Sequence, residues 1–159
     1  MTILLLLIAG FAFVAVVIFS STAFGRRGTP TADRMDLAAR ICEASARDAF
    51  SIELDYSIES LPLLDNLIER GFASGSGATD DTKLVLAAYV GQVFVRAGKA
   101  IWQEARDDSN PRLLMRDNQE VVSPFEIINQ KLQAPESINV AATVRGLIST
   151  MESSKNDAQ

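Results

Sequence analysis

The chain has 159 residues, a formal net charge of −5, one cysteine and no histidine. That length allows one ordinary domain of about 100–150 residues with an appendage. Its acidity disfavours nucleic-acid binding, the missing histidine removes the commonest general base and metal ligand, and the lone Cys42 leaves no intrachain disulfide. Most zinc-site and histidine-dependent hydrolase templates are thereby excluded, and neither a cofactor nor a metal is expected.

No charged residue precedes Arg26, and Ile3–Phe19 is an unbroken run of Ile, Leu, Ala, Gly, Phe and Val that stays uncharged through Phe24. About 22 residues at about 1.5 Å each cover about 33 Å, enough for a hydrocarbon core of about 30 Å. The expectation is therefore a transmembrane signal-anchor helix over residues 1–24, with the lipid bilayer as partner of residues 3–24. A cleaved signal peptide competes, with Ser21 and Ala23 supplying small residues near a cleavage site. Against it, the n-region is Met1-Thr2 without a base, and the run exceeds the usual h-region of about 7–15 residues. Arg26 and Arg27 follow the run and none precede it, so they act as topology and lipid-headgroup residues and place the domain in the cytoplasm. Cleavage near Ala23 would make the domain periplasmic or secreted instead. Residues 25–32, with Gly28 and Pro30, read as a juxtamembrane linker.

The folded domain is expected over 33–151. From Asp33 to Ala49 the spacing of Leu37, Ala38, Ile41, Cys42, Ser45 and Ala49 is helical, with Asp36/Arg40 and Glu43/Arg47 as acid-before-base pairs on the outer face. Cys42 reads as a buried thiol. The period then changes to strict alternation through Phe50, Ile52, Leu54 and Tyr56, which predicts a half-buried strand with Glu53 and Asp55 on its wet side. A helix follows from near Ser60, with Pro62 in its first turn and Gly71 at its end. Residues 73–77 form a flexible loop lacking the Lys-Ser/Thr ending of a phosphate-binding loop.

Asp80 or Asp81 is expected to cap a helix from about Thr82 to Ala97 that is apolar nearly all round, hence the central buried helix, too short to be a second span. Gln92 is assigned with Arg96 and Lys99 to its polar edge. Ala87, Ala88 and Gly91 make a small-residue stripe that lets another element approach its backbone. Residues 100–104, 112–116 and 120–122 read as the strands of an antiparallel meander, with turn chemistry rather than a calcium loop at Asp107 and Asp108. Ser123-Pro124 with Glu126 is a capping-box helix start, and Phe125, Ile128 and Leu132 supply that helix's apolar face. Pro135 ends it, Ser137–Met151 forms a last helix, and 152–159 has the composition of a disordered tail.

The segments Ser57-Ile58-Glu59-Ser60-Leu61 with Leu64-Asp65, Ala88-Tyr89-Val90-Gly91, Trp102 after Gly98, and Ser123 to Leu132 resemble the DUF3806-like bacterial domains of unknown function. The resemblance covers most of Asp55 to Val144. It implies a compact α+β domain whose Gly91 helix packs on a meander beginning at Trp102, and it implies no reaction. Gln92 stands where such relatives carry an acidic residue, so no role of that carboxylate transfers.

The expected fold class is thus α+β: an N-terminal transmembrane helix, then one small domain of about five helices with a short antiparallel sheet. The expected function is that of a single-pass membrane-anchored protein whose acidic, cytosol-facing domain serves as a protein-interaction or accessory module for another protein. Tyr56, Tyr89, Trp102 and Phe125 are the candidates for a partner or ligand groove, since their amphipathic rings suit one. An exported envelope-binding domain and a toxin-immunity protein are the alternatives. No catalytic motif is found, and an enzyme reading rests only on Glu53, Asp55 and Glu59 near Tyr56, as in a carboxylate-dependent hydrolase.

Overall fold

The computed structural model describes residues 31–72, 78–104, 110–116, 119–134, 136 and 138–156. The first helix, α1, covers Thr31–Phe50 and buries Met35, Ala38, Ala39, Cys42, Ala46 and Phe50 along one face. The expected acid-before-base pairs form on the other side, Asp36–Arg40 at 2.7 Å and Glu43–Arg47 at 3.8 Å. Ser51, at φ +55°, ends the helix, with its N–H on the Arg47 carbonyl and the Ile52 N–H on that of Ala46.

The next residues alternate as the sequence does, with Ile52, Leu54 and Tyr56 buried and Ser51, Glu53 and Asp55 exposed. They are not a strand. The segment has no sheet partner, and it is bracketed by two left-handed residues, Ser51 and Tyr56 at φ +65°. Alternation reports an extended backbone with one buried face, whereas a strand also needs a neighbour with unpaired backbone groups, and here the Tyr56 N–H is satisfied by a side chain.

A single 3-10 turn, Ile58–Ser60, is capped by Ser57 and leads directly into α2, Leu61–Gly71, with Pro62 in the tolerated first turn. The central helix α3, Asp80–Arg96, is buried on nearly all sides and packs mainly on α1. Its cap is Thr79, whose hydroxyl accepts the Thr82 N–H at 3.2 Å; Asp80 and Asp81 occupy the first turn, where their charges favour the dipole. At its other end the Lys99 N–H reaches the Phe94 carbonyl and the Gly98 N–H that of Val95, a Schellman closure made by Gly98 at φ +71°.

That closure delivers the chain into β1 (Ala100–Trp102), followed by β2 (Leu113–Met115) and β3 (Val121–Val122) in an antiparallel meander of that order. The register pairs Ala100 with Met115, Trp102 with Leu113, and Leu113 with Val122. These residues face inward and are buried. Ser123 caps α4, Pro124–Gln133, by accepting the Glu126 N–H; the Glu126 carboxylate accepts from Gln130 rather than closing the second half of the box. The last helix, α5, covers Val140–Asn156, starting later and running further than the expected Ser137–Met151.

The expected fold class needs correction. The described domain is α+β, with five α-helices and a three-stranded antiparallel sheet, and among the described residues no helix is long and apolar enough to cross a membrane. The transmembrane helix expected over residues 1–24 falls outside the described residues, as do Arg26 and Arg27; the expected linker 25–32 ends earlier than its composition suggests, because Thr31 and Ala32 already belong to α1. The loop at 73–77, Asp107 and Asp108 lie outside the described residues as well.

Candidate functional site

The four aromatic candidates do not line one groove. Tyr56 and Tyr89 are brought together, with ring centroids 4.9 Å apart and planes at 28°. The Tyr89 hydroxyl accepts the Tyr56 N–H at 2.9 Å and lies 2.6 Å from Ser60 Oγ. Tyr56 donates to Glu43 at 3.0 Å, and the Arg96 guanidinium lies 3.6 Å above its ring centroid. Burial pushes both phenols up, that of Tyr89 to about 12 with the Ser60 bond opposing the shift, and that of Tyr56 further because Glu43 accepts its proton. The pair ties α1, the extended segment, the 3-10 turn and α3 together. It is a structural clamp whose hydroxyls stay protonated, and both side chains are buried.

Trp102 sits elsewhere. Residues 89 and 91 project about 200° apart on a helix, so the indole, which lies against the Gly91 backbone, packs on the side of α3 away from the tyrosines. A Cβ at Gly91 would overlap the six-membered ring of that indole, which explains the small-residue stripe. Beside it Gln92 is buried, not on a polar edge: its amide donates to Asp36 at 2.9 Å, because α1 covers this side of α3 and supplies the acceptor. The Gln92 carbonyl and the Trp102 indole N–H are buried and without partners among the described residues.

Phe125 lines an open concavity. It is half-buried, packing against the core at the margin of the apolar face of α4 made by Ile127, Ile128 and Leu132. With Asp80, Lys83, Asn110, Ser123, Glu126 and Asn129 it lines a cleft of about 320 Å³. Two local features build this cleft. Thr79 starts α3 and Ser123 starts α4, so both helix N-termini open onto it. Lys83 pairs with Asp80 at 3.1 Å across its wall. One lysine against two carboxylates leaves one negative charge, and two dipole ends of about half a positive charge each cancel it. The cleft is therefore close to neutral, dense in hydrogen-bonding groups and floored by an aromatic ring.

The acidic cluster considered for catalysis is dispersed in solvent. Glu53, Asp55 and Glu59 are all exposed, and the Ser57 hydroxyl and N–H donate to Asp55, which holds its carboxyl below the usual range. That shift is opposite to the one a general acid needs. Cys42 is fully buried, and desolvation, with Glu43 adding to it, pushes its thiol far up and away from the reactive thiolate.

A buried ionic cluster escaped sequence reasoning. Lys131, 1% exposed, lies 3.2 Å from Asp65 and 2.7 Å from Glu69. Asp65 also accepts the N–H groups of Val140 and Ala141, at 3.0 and 3.1 Å, and so caps α5 from α2. The partners stand far apart in the chain, and no local spacing signals them. Among the described residues no group of His, Cys, Asp and Glu is placed to hold a metal ion. Comparison of the chain with protein-family models, curated proteins and solved structures finds no match, so the resemblance to DUF3806-like domains gains no support there.

Proposed function

We propose that the domain is a protein-interaction module, acting as an accessory subunit, and that it grips a short neutral stretch of a partner polypeptide in the cleft around Phe125. The observation that carries this reading is a half-buried aromatic ring lining a near-neutral cleft, together with two helix N-termini, Asn110 and Asn129. Amide groups of both kinds suit a peptide backbone, which needs donors and acceptors together, and the aromatic floor suits one apolar side chain. A free anion is a poorer fit, because Asp80 and Glu126 already occupy the first turns of the two helices. A catalytic reading draws less support: the displaced pKa values belong to phenols and a thiol held protonated and to a carboxylate held ionised, all outside the cleft.

The test is site-specific photocrosslinking in the native cell with benzoylphenylalanine at position 125 and, as control, at Glu59. A discrete adduct from position 125 that disappears with Asn129→Ala supports the reading. Identical adduct patterns from both positions, or none from 125, would overturn it.

A further inference from the structure

The outer face of the three-stranded sheet combines exposed aliphatic and cationic side chains. The register that buries Trp102, Leu113 and Val122 places Ile101, Leu114 and Val121 in one row on the opposite side. Ile101 is 43% and Val121 45% exposed, among the largest exposed hydrophobics described. The Arg116 N–H on the Lys99 carbonyl and the Gln103 N–H on the Arg112 carbonyl continue the β1–β2 register in both directions. Lys99 and Arg116 therefore flank the apolar row at one end and Arg112 flanks it at the other. Counting alternate positions along the three strands, the outward residues are Lys99, Ile101 and Gln103, then Arg112, Leu114 and Arg116, then Val121. Three of these outward residues are cationic and three aliphatic, in a chain of net charge −5, and the exposed carboxylate beside them in the described sheet is that of Glu120, just before Val121.

We propose that this face docks on an anionic lipid surface, with Ile101, Leu114 and Val121 seated at the headgroup boundary and Arg112 and Arg116 against lipid phosphates. An apolar row between cations is the arrangement that interfacial membrane contacts use. The charge distribution also sets orientation, since the acidic remainder of the domain is repelled by the same surface.

Size decides between a bilayer and an acidic protein. Three strands each about 4.8 Å wide, over five residues at about 3.3 Å, cover roughly 240 Å². A stable protein interface needs about 800 Å² per partner. A lipid surface has no such threshold, because each cation contributes separately, about fivefold in partitioning.

The test uses the full chain carrying an environment-sensitive nitrobenzoxadiazole label on Ile101→Cys; Cys42 is buried and does not compete. Vesicles of phosphatidylcholine, with and without phosphatidylglycerol, are the probe. Labelled position 101 should shift to the blue and brighten only with phosphatidylglycerol, a label on Ala142→Cys in α5 should not change, and salt of about 0.5 M should reverse the effect. Arg112→Gln/Arg116→Gln should weaken the lipid dependence at least about 25-fold. These exposed positions carry no inward packing, so folding is retained, and far-ultraviolet circular dichroism verifies it. A label at 101 that stays water-like on anionic vesicles, or shifts equally on neutral ones, overturns the proposal. So does a shift seen only with a membrane-free acidic protein fraction, which would reassign the face to a protein. None of these outcomes bears on the Phe125 cleft, which the label does not touch.

Discussion

Replacing Gly91 by alanine sets two effects of opposite sign against each other. On an unobstructed helix surface the change stabilises by up to about 1 kcal/mol, because glycine is the poorer helix former. Here the added methyl would occupy the place of the Trp102 six-membered ring. The ring must shift, and overpacking of that kind costs about 1–3 kcal/mol; full expulsion of an indole burying about 200 Å² would cost about 5 kcal/mol at about 25 cal/mol/Å². The expected net effect is a loss of about 1–3 kcal/mol for Gly91→Ala and more for Gly91→Leu. Urea unfolding followed by circular dichroism and by fluorescence of Trp102, the only tryptophan, measures it. The decisive comparison is a double-mutant cycle: once Trp102→Leu has opened the space, Gly91→Ala should become neutral or stabilising. If Gly91→Ala stabilises with Trp102 in place, the indole does not rest on this helix, and the packing of the sheet on α3 is wrong.

Lys131→Met should lower stability by about 3–5 kcal/mol by leaving Asp65 buried without its cation, whereas Glu69→Gln, at a side chain 47% exposed, should cost under about 1 kcal/mol; both are read from urea midpoints. Tyr89→Phe should cost about 1–3 kcal/mol by orphaning the buried Tyr56 N–H and Ser60 hydroxyl. Because the folded-state pKa of Tyr89 is raised from 10 to about 12, its contribution is complete below pH 10 and lost as pH rises toward 12; ultraviolet titration should show no phenol ionising at 10 while the fold persists, and melts should show a shallower alkaline decline for Tyr89→Phe. Ser123→Ala should cost about 1 kcal/mol by uncapping α4, measured as the shift in urea midpoint.

What the sequence makes legible follows from how local each signal is. The α3 pattern and the Gly91 stripe are readable because a helix with apolar residues on every side has to be covered, and a glycine within it is costly unless something lies against it. The meander and the Ser123 cap are readable because turn and cap chemistry acts within three or four residues. The expected strand at Phe50–Tyr56 fails because alternation specifies extension and burial but not a partner, and the left-handed Ser51 and Tyr56 that isolate it leave no compositional mark. The α3 cap falls on Thr79 rather than Asp80 or Asp81 because Thr79-Asp80-Asp81-Thr82 offers a competent cap at each position. Gln92 looks like a polar edge until α1 brings Asp36 to it. The groove of Tyr56, Tyr89, Trp102 and Phe125 fails because aromatic type reveals amphipathic character and not direction, and the helical geometry of α3 sends two of these partners to opposite sides.

The buried polar contacts share a property that explains why they are kept. Asp65 reaches the start of α5, Gln92 reaches Asp36, and the Tyr89 hydroxyl reaches Tyr56 and Ser60, so each joins elements distant in sequence. The apolar surfaces of α2, α4 and α5 are built mostly of Leu, Ile and Val side chains of similar volume, and volume-matched apolar swaps usually cost under about 1.5 kcal/mol. A misplaced α5, by contrast, would leave the Asp65 carboxylate and two helix N–H groups buried without partners, at about 1–3 kcal/mol each and more for the charge. Burial drives the helices together without choosing their order, and these few directional contacts select the arrangement in which the N-termini of α3 and α4 meet at Phe125 and the sheet turns its cationic, aliphatic side outward.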